Sequence, residues 1–199
     1  MRTEEIWRYV DAERASLAEL LSGLTADQWR TPSMCPGWTV QDVAAHVISS
    51  PQAKMLPVIT GMARARGDFN RFVFEEARRA GARYSPEEIV AQYRQYAGSR
   101  RHPLGTVPAD PLLDVLIHGQ DIAVPLGIPR AMPPEAARAA AERIWAKSFP
   151  FKARKRLAGR RLVATDIDWS VGEGEELRGP IGVLVQLMTG RTHVTAQLK

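Results

Sequence analysis

The sequence contains a single cysteine, Cys35, among 199 residues, and it contains no long apolar run. One cysteine excludes the internal disulfide framework that is typical of small secreted domains. No stretch approaches the roughly 18 consecutive apolar residues that a transmembrane helix needs. The opening residues are acidic at Glu4 and Glu5 rather than apolar, which is unlike a secretory signal. We therefore expect no membrane association and a cytoplasmic location.

Acidic residues are fewer than basic ones, 22 against 27, so the chain carries a formal net charge of +5. A basic surplus of this kind permits nucleic-acid binding. However, the basic clusters at 64–83 and 152–161 lack the interleaved aromatic residues of a single-strand-binding groove, and no groove-reading motif is present. We therefore expect these clusters to be solvated surfaces and expect no nucleic-acid partner.

Helix-start signals are frequent in the first three quarters of the chain. Capping boxes begin at Thr25, Thr39 and Ser85, where a hydroxyl side chain is followed three residues later by Gln or an acid. Further helix starts are expected at Thr3–Glu5, Asp110–Pro111 and 133–135, each leading into an apolar periodic segment. This pattern predicts a mainly α protein with a helical bundle over residues 1–150.

The pattern changes after Pro150. Residues 161–171 have the composition of a strand, residues 172–174 that of a turn, and residues 176–178 that of a return strand. A final helix is predicted over 181–189, ending before Gly190. The sequence thus predicts a small α+β C-terminal unit over residues 151–199.

The best candidate site lies on two predicted helices. Asp114 and His118 are four residues apart, so their side chains share one face of an apolar helix. A buried carboxylate is costly unless it is paired or bound to a metal. His46, on another helix with an apolar side, supplies a third ligand. Three protein ligands with an open fourth position are typical of catalytic zinc, although nickel, iron or manganese also accept mixed N/O ligands. The alternative is that each histidine only forms hydrogen bonds in the core.

Three neighbouring residues are weaker candidates. Asp121, three residues beyond His118, either orients a ligand or is a surface or helix-end acid. Cys35 has no basic neighbour in the sequence that would favour its thiolate, so we interpret it as a packed turn residue. We expect Trp38 to fill the core at the start of the His46 helix rather than to bind substrate.

Two segments resemble motifs of a known family. The segment 35–46, Cys-Pro-Gly-Trp-Thr-Val-Gln-Asp-Val-Ala-Ala-His, is similar to the first motif of the mycothiol-dependent maleylpyruvate isomerase family, a branch of the DinB-like helical bundles. The segment 114–122, Asp-Val-Leu-Ile-His-Gly-Gln-Asp-Ile, is similar to its second motif. Elements at 172–174, 178–180 and 189–191 resemble its C-terminal segment, so the resemblance extends over nearly the whole chain.

The resemblance implies a DinB-like four-helix bundle with a divalent metal, for which zinc is our first choice, held by His46, Asp114 and His118. The family has glutamate where this chain has Asp114, which is one methylene shorter. The carboxylate then either ligates directly, acts through a water molecule, or is replaced by Asp121. Arg191 matches an arginine that binds an anionic substrate, and its alternative role is that of a cation at a helix C-terminus.

The resemblance also implies mycothiol as a thiol co-substrate. We expect an enzyme, an isomerase or a thiol transferase, that uses this low-molecular-weight thiol on a small, electrophilic and anionic substrate. The alternative is a non-catalytic metal- or ligand-binding DinB-like protein. The expected partners are the small-molecule substrate and the thiol, and the expected state is a monomer or homodimer.

Overall fold

Several helices begin where local capping chemistry predicts them. The hydroxyls of Thr25, Thr39 and Ser85 each accept a hydrogen bond from the backbone N–H three residues later, and the side chain there accepts one from the capping residue's N–H in return. These reciprocal bonds satisfy backbone groups that a helix leaves without partners at its N-terminus.

A computed structural model describes residues 1–199 in two units, Thr3–Arg130 and Ala131–Lys199, the latter together with Met1–Arg2. The helices of the first unit are α1 (Thr3–Ser22), α2 (Ala26–Arg30), α3 (Val40–Ser49), α4 (Met55–Arg64), α5 (Phe69–Arg83), α6 (Pro86–Gln95) and α7 (Ala109–Ala123), with a short 3-10 turn at Ser50–Gln52.

Four of these helices enclose one core. Helix α1 packs against α6, α6 against α3, α3 against α7, and α7 against α1, which closes a ring of four. Fully buried side chains from all four fill its interior, among them Leu17, Val43, Ile89 and Val115. Helix α5 packs on the outside of α3, and α4 packs on α5. The predicted mainly α fold with a four-helix bundle is therefore confirmed.

The bundle also buries charged groups, and each has partners. The Arg14 guanidinium, 2% exposed, donates to the carbonyl oxygens of Tyr96 and Ser99 just beyond the end of α6, at 3.3 and 3.0 Å. Burial lowers the pKa of Arg14 from its usual value. Glu13 accepts from Arg130 at 2.6 Å in a second buried pair. These contacts connect α1 to the segments that follow α6 and α7.

The second unit contains helices and a small sheet. Its elements are α8 (Pro134–Ala146), α9 (Ala153–Arg156), β1 (Arg160–Ala164), β2 (Ser170–Gly172), β3 (Glu175–Gly179), α10 (Ile181–Met188) and a 3-10 turn at Thr192–Gln197. Because α8 packs against α10, this helix belongs to the C-terminal unit, and the division between units lies before residue 150.

The prediction of one strand over residues 161–171 is wrong. The chain bends after Ala164, so that β2 returns antiparallel to β1. The polar bend has a structural role, because the Asp166 carboxylate accepts from the backbone N–H of Ile181 at 2.8 Å, at the start of α10. Strand β3 then pairs in parallel with β1, giving the sheet order β2-β1-β3 instead of a simple hairpin. Gly174, with φ of +112°, allows this crossing because a Cβ there would overlap the Gly159 carbonyl.

Candidate metal centre

Two packed helices carry the three predicted ligands. His46 lies on α3, and Asp114 and His118 lie one turn apart on α7. Val43 and Val47 of α3 are buried in the core, and His46 lies on the adjacent face of the same helix, which packs against α7. The helical period thus explains the Asp114–His118 half of the cluster, and the packing of α3 on α7 adds the third residue.

The side chains of His46 and His118 both approach one carboxylate oxygen of Asp114. The Nε2 atoms of His46 and His118 lie 3.6 and 3.5 Å from Asp114 Oδ1. The imidazole centroids are 5.0 Å apart in an edge-on arrangement, and one ligand atom from each residue lies within 4.8 Å of the others. The side chains are 22%, 30% and 14% exposed for His46, Asp114 and His118, so the cluster is partly open to solvent.

These distances fit a divalent cation. A tetrahedral ion with bonds of about 2.0–2.1 Å to its ligands separates neighbouring ligand atoms by about 3.3 Å. The observed 3.5 and 3.6 Å are close to that spacing. The Asp114 carboxylate therefore lies, despite its short side chain, at about the spacing from both imidazoles that direct ligation would require. Two imidazole nitrogens and a carboxylate oxygen suit zinc and several other first-row metals.

The electrostatics favour an ionised Asp114. Burial raises the pKa of this carboxyl group, but the charge and hydrogen bond of His46, with further contributions from His118 and Arg14, lower it more, so that its pKa lies below the usual value. At neutral pH the carboxylate therefore carries the negative charge that offsets a bound cation.

The other ring nitrogen of His118 faces Asp121. Nδ1 lies 2.8 Å from Asp121 Oδ2, and Asp121 is fully buried. The alternative of a surface acid is therefore wrong, although Asp121 does lie in the last turn of α7. Asp121 lies at Nδ1 of His118, whereas Asp114 lies at Nε2 on the side of His46. The spacing of three residues on one helix was the sequence signal for this pair.

Cys35 is more than a packed turn residue. Its Sγ lies 3.1 Å from Asp121 Oδ2 and 3.7 Å from His118 Nδ1. Cys35 has no basic neighbour in the sequence, but His118 lies beside it in the fold although the two residues are 83 positions apart along the chain. No local pattern indicates this contact, which depends on how the Pro-Gly turn lies against α7.

Aromatic rings line the cluster. Trp38 is 7% exposed and belongs to the bundle core, as predicted. Its ring also lies 5.2 Å from His46 and 6.1 Å from His118, measured between centroids. Phe74 of α5, 37% exposed, stacks on Trp38 at 6.4 Å. Sequence reasoning missed Phe74, because its apolar spacing on α5 did not distinguish it from other surface-helix positions.

Arg191 lies in the C-terminal unit, directly after α10 and Gly190. Its Nη1 donates to the Thr189 carbonyl oxygen at 3.1 Å. This contact fits a cation at a helix C-terminus. The substrate-binding role of Arg191 stays a prediction.

Fold and site together define a four-helix-bundle protein with a candidate mononuclear divalent-metal centre. Residues 10–114 match the family model described as the mycothiol maleylpyruvate isomerase N-terminal domain, which is more than half of the chain. The protein therefore belongs to this family. The matched region includes His46 and Asp114 and ends before His118.

Two solved structures resemble the whole chain. The crystal structure of the mycothiol-dependent maleylpyruvate isomerase aligns with a TM-score of 0.67 and 16% identity, covering 100% of this chain and 92% of the other. A histidine-to-alanine mutant of that isomerase aligns with a TM-score of 0.65, the same identity and the same coverage. At this identity the likeness establishes the fold. No curated protein sequence matches the chain significantly. None of its helices combines the length and apolar character of a membrane span.

Proposed function

We propose that this protein is a divalent-metal-dependent enzyme that uses mycothiol or a similar low-molecular-weight thiol. The thiol would serve either to isomerise a small electrophilic substrate or to form a lasting C–S bond with it. The observation that carries the proposal is the convergence of His46, Asp114 and His118 on one point inside a bundle of the mycothiol maleylpyruvate isomerase family. Cis–trans isomerisation of maleylpyruvate is the first reaction to test, because the family and both structural relatives carry its name.

Each residue of the cluster has a defined part in this proposal. His46 and His118 would bind the cation through Nε2, and the ionised Asp114 would neutralise part of its charge. A cation held there would keep a coordinated thiol in its thiolate form at neutral pH. Zinc is our first choice among the metals that suit this donor set. Trp38 and Phe74 would shield one side of the cluster from water, which strengthens electrostatic interactions within it.

The chemistry requires no nucleophile from the protein. The co-substrate thiolate adds to the activated double bond, a C–S bond forms, and the π electron pair moves onto the conjugated carbonyl oxygen. The former double bond rotates as a single bond, the electron pair returns, and the C–S bond breaks to release the thiolate and the trans product. Cys35 is engaged with Asp121, which agrees with an external thiol as the nucleophile. The predicted role of Arg191 is to bind a substrate carboxylate.

The experiment combines metal analysis with an isomerase assay. We expect the purified protein to bind about one divalent ion per chain, as a three-ligand centre requires. We also expect it to isomerise maleylpyruvate only when mycothiol is present. The His118→Ala variant should lose both properties. His193→Ala is the matched control, because His193 is an exposed histidine of the C-terminal unit and should keep both.

A second function is retained because this chain has Asp114 where the resemblance implies glutamate. A non-catalytic DinB-like protein would bind the metal and show no turnover with maleylpyruvate or with a panel of electrophiles. Metal binding without any thiol-dependent reaction would favour this alternative. Absence of metal from both the wild type and the metal-reconstituted protein would refute the enzyme and the metal-binding form of this alternative.

A further inference from the structure

One ring nitrogen of His118 contacts a residue outside the candidate metal cluster. Its Nε2 faces Asp114, and its Nδ1 lies 2.8 Å from Asp121 Oδ2. Asp121 is fully buried and belongs to the same helix, one turn further on. A buried carboxylate at this distance accepts a hydrogen bond, so the nitrogen facing it carries the proton.

The Asp121 carboxylate is itself fixed by the turn that precedes α3. The Cys35 thiol donates to Asp121 Oδ2 at 3.1 Å, and the backbone N–H of Met34 donates to the Asp121 carbonyl oxygen at 3.0 Å. Ser33 stabilises this turn with two hydrogen bonds. Its hydroxyl accepts from the Cys35 N–H at 3.1 Å and donates to the Trp38 carbonyl oxygen at 2.9 Å. The side chain and backbone of Asp121 are therefore both attached to this turn.

We propose that Asp121 and Cys35 are positioning residues that hold His118 with its proton on Nδ1 and a bare Nε2 facing Asp114 and His46. The inference rests on the proposed metal-dependent function and adds residues to it. A neutral imidazole in water can carry its proton on either ring nitrogen. Ligation requires a lone pair on the nitrogen that faces the cation, so the proton must be on the other one. Holding the proton on Nδ1 prepares His118 for binding, as carboxylates that accept from the distal nitrogen of a histidine ligand do in metal sites.

The distances favour hydrogen bonding over a second metal at Cys35, Asp121 and His118, although these residues also form a possible ligand group. The separations of 2.8 and 3.1 Å at Asp121 Oδ2 are hydrogen-bond lengths for nitrogen and sulfur donors. Both donors share a single oxygen, so one carboxylate rotamer satisfies the histidine and the cysteine together. We therefore assign Cys35 to orienting the carboxylate.

The first test reads the tautomer directly in metal-free protein labelled with 15N-histidine. The chain has four histidines, so the ring signals can be assigned with single-histidine variants. Long-range 1H–15N spectra should show His118 protonated on Nδ1 in the wild type. In Asp121→Asn, whose side-chain amide can donate to Nδ1, the proton should move to Nε2 in a substantial fraction of molecules. A wild-type His118 protonated on Nε2 would overturn the proposal.

The second test is zinc affinity, measured by competition with a chromophoric chelator. Asp121→Asn should weaken binding by about 10–100-fold, the usual effect of removing a group that hydrogen-bonds to a metal ligand. Cys35→Ala should weaken it by a smaller factor, and Cys35→Ser, which retains a donor, should restore most of the loss. Glu13→Gln is the matched control, because it breaks a buried carboxylate pair elsewhere in the bundle and should lower stability without changing the His118 tautomer.

The outcomes separate this inference from the proposed function. If the wild type binds no divalent metal, whether zinc, nickel, iron or manganese, the proposed function fails, and the tautomer measurement still decides the positioning of His118. If the wild type binds two zinc ions and Cys35→Ala loses one of them, Cys35 is a ligand and the positioning role is wrong. Unchanged tautomer and affinity in both Asp121→Asn and Cys35→Ala would likewise refute it.

Discussion

Substitutions at Asp114 test the geometry of the metal centre most directly. In the structure Asp114 Oδ1 lies 3.6 and 3.5 Å from the Nε2 atoms of His46 and His118, which is about the spacing that direct ligation of one cation would require. Asp114→Asn keeps the shape and removes the charge. Asp114→Glu keeps the charge and lengthens the side chain by about 1.5 Å, one carbon–carbon bond.

The two variants should differ in magnitude. Substitution of a residue that only hydrogen-bonds to a metal ligand usually costs about 10–100-fold in metal affinity. Loss of a charged direct ligand in Asp114→Asn should therefore cost more than about 100-fold, or about 2.7 kcal/mol. For Asp114→Glu, metal–ligand distances tolerate only about 0.2 Å, so the longer side chain must fold back. Such an off-rotamer conformation costs about 0.5–1.5 kcal/mol, which corresponds to a loss of about two- to tenfold.

Zinc titration against a chelator of known affinity, at one fixed pH, measures both effects. The pH must be held constant because the ligands bind the metal only when deprotonated. An unchanged affinity in Asp114→Asn would show that Asp114 is not a ligand. Tighter binding by tenfold or more in Asp114→Glu would show that the carboxylate of the native protein falls short of the metal, contrary to the distances observed here.

Three further predictions concern the bundle that holds the site, and chemical denaturation measures each of them. Glu13→Gln should lower the free energy of unfolding by about 3 kcal/mol, because it leaves a buried guanidinium without its ion-pair partner; a change below about 1 kcal/mol would contradict this. Gly81→Ala should cost about 1–3 kcal/mol, because the added Cβ would overlap the carboxylate of Asp42, whereas Gly98→Ala, which has open space, should be neutral. Burial raises the pKa of Tyr93 well above 10.0, so its protonated form stabilises the fold fully below pH 10, and stability should fall as the pH rises further. Tyr93→Phe should remove that part of the alkaline loss, and an identical alkaline profile would contradict the assignment.

The extent to which the site was predictable depends on the distance along the chain between its residues. Asp114, His118 and Asp121 lie within two turns of one helix, so the helical period alone places them on one face. His46 was a candidate because it lies on another helix with an apolar side, and the resemblance to a known family supported it, since no spacing rule connects it to α7. The contact between Cys35 and Asp121 was missed, because it joins residues 86 positions apart through a turn whose path is set by packing.

The C-terminal unit shows the same limit for secondary structure. Composition indicated β structure after residue 160, and β1 and β3 lie where strand residues were expected. The bend at Asp166 and the parallel pairing of β3 with β1 were not visible, because pairing partners are chosen by contacts across the sheet rather than by the residues of one strand.

The sequence by itself determined several helix starts, the mainly helical class and the pairing of Asp114 with His118, because each depends on bonds or spacing within a few residues. Only the tertiary structure decided that α3 delivers His46 to within 3.6 Å of Asp114, and that Asp121 and Cys35 occupy the opposite side of the His118 ring. These arrangements arise from the burial of apolar faces on separate helices. That burial is non-directional, and it fixes the positions of distant side chains only when the whole bundle has packed.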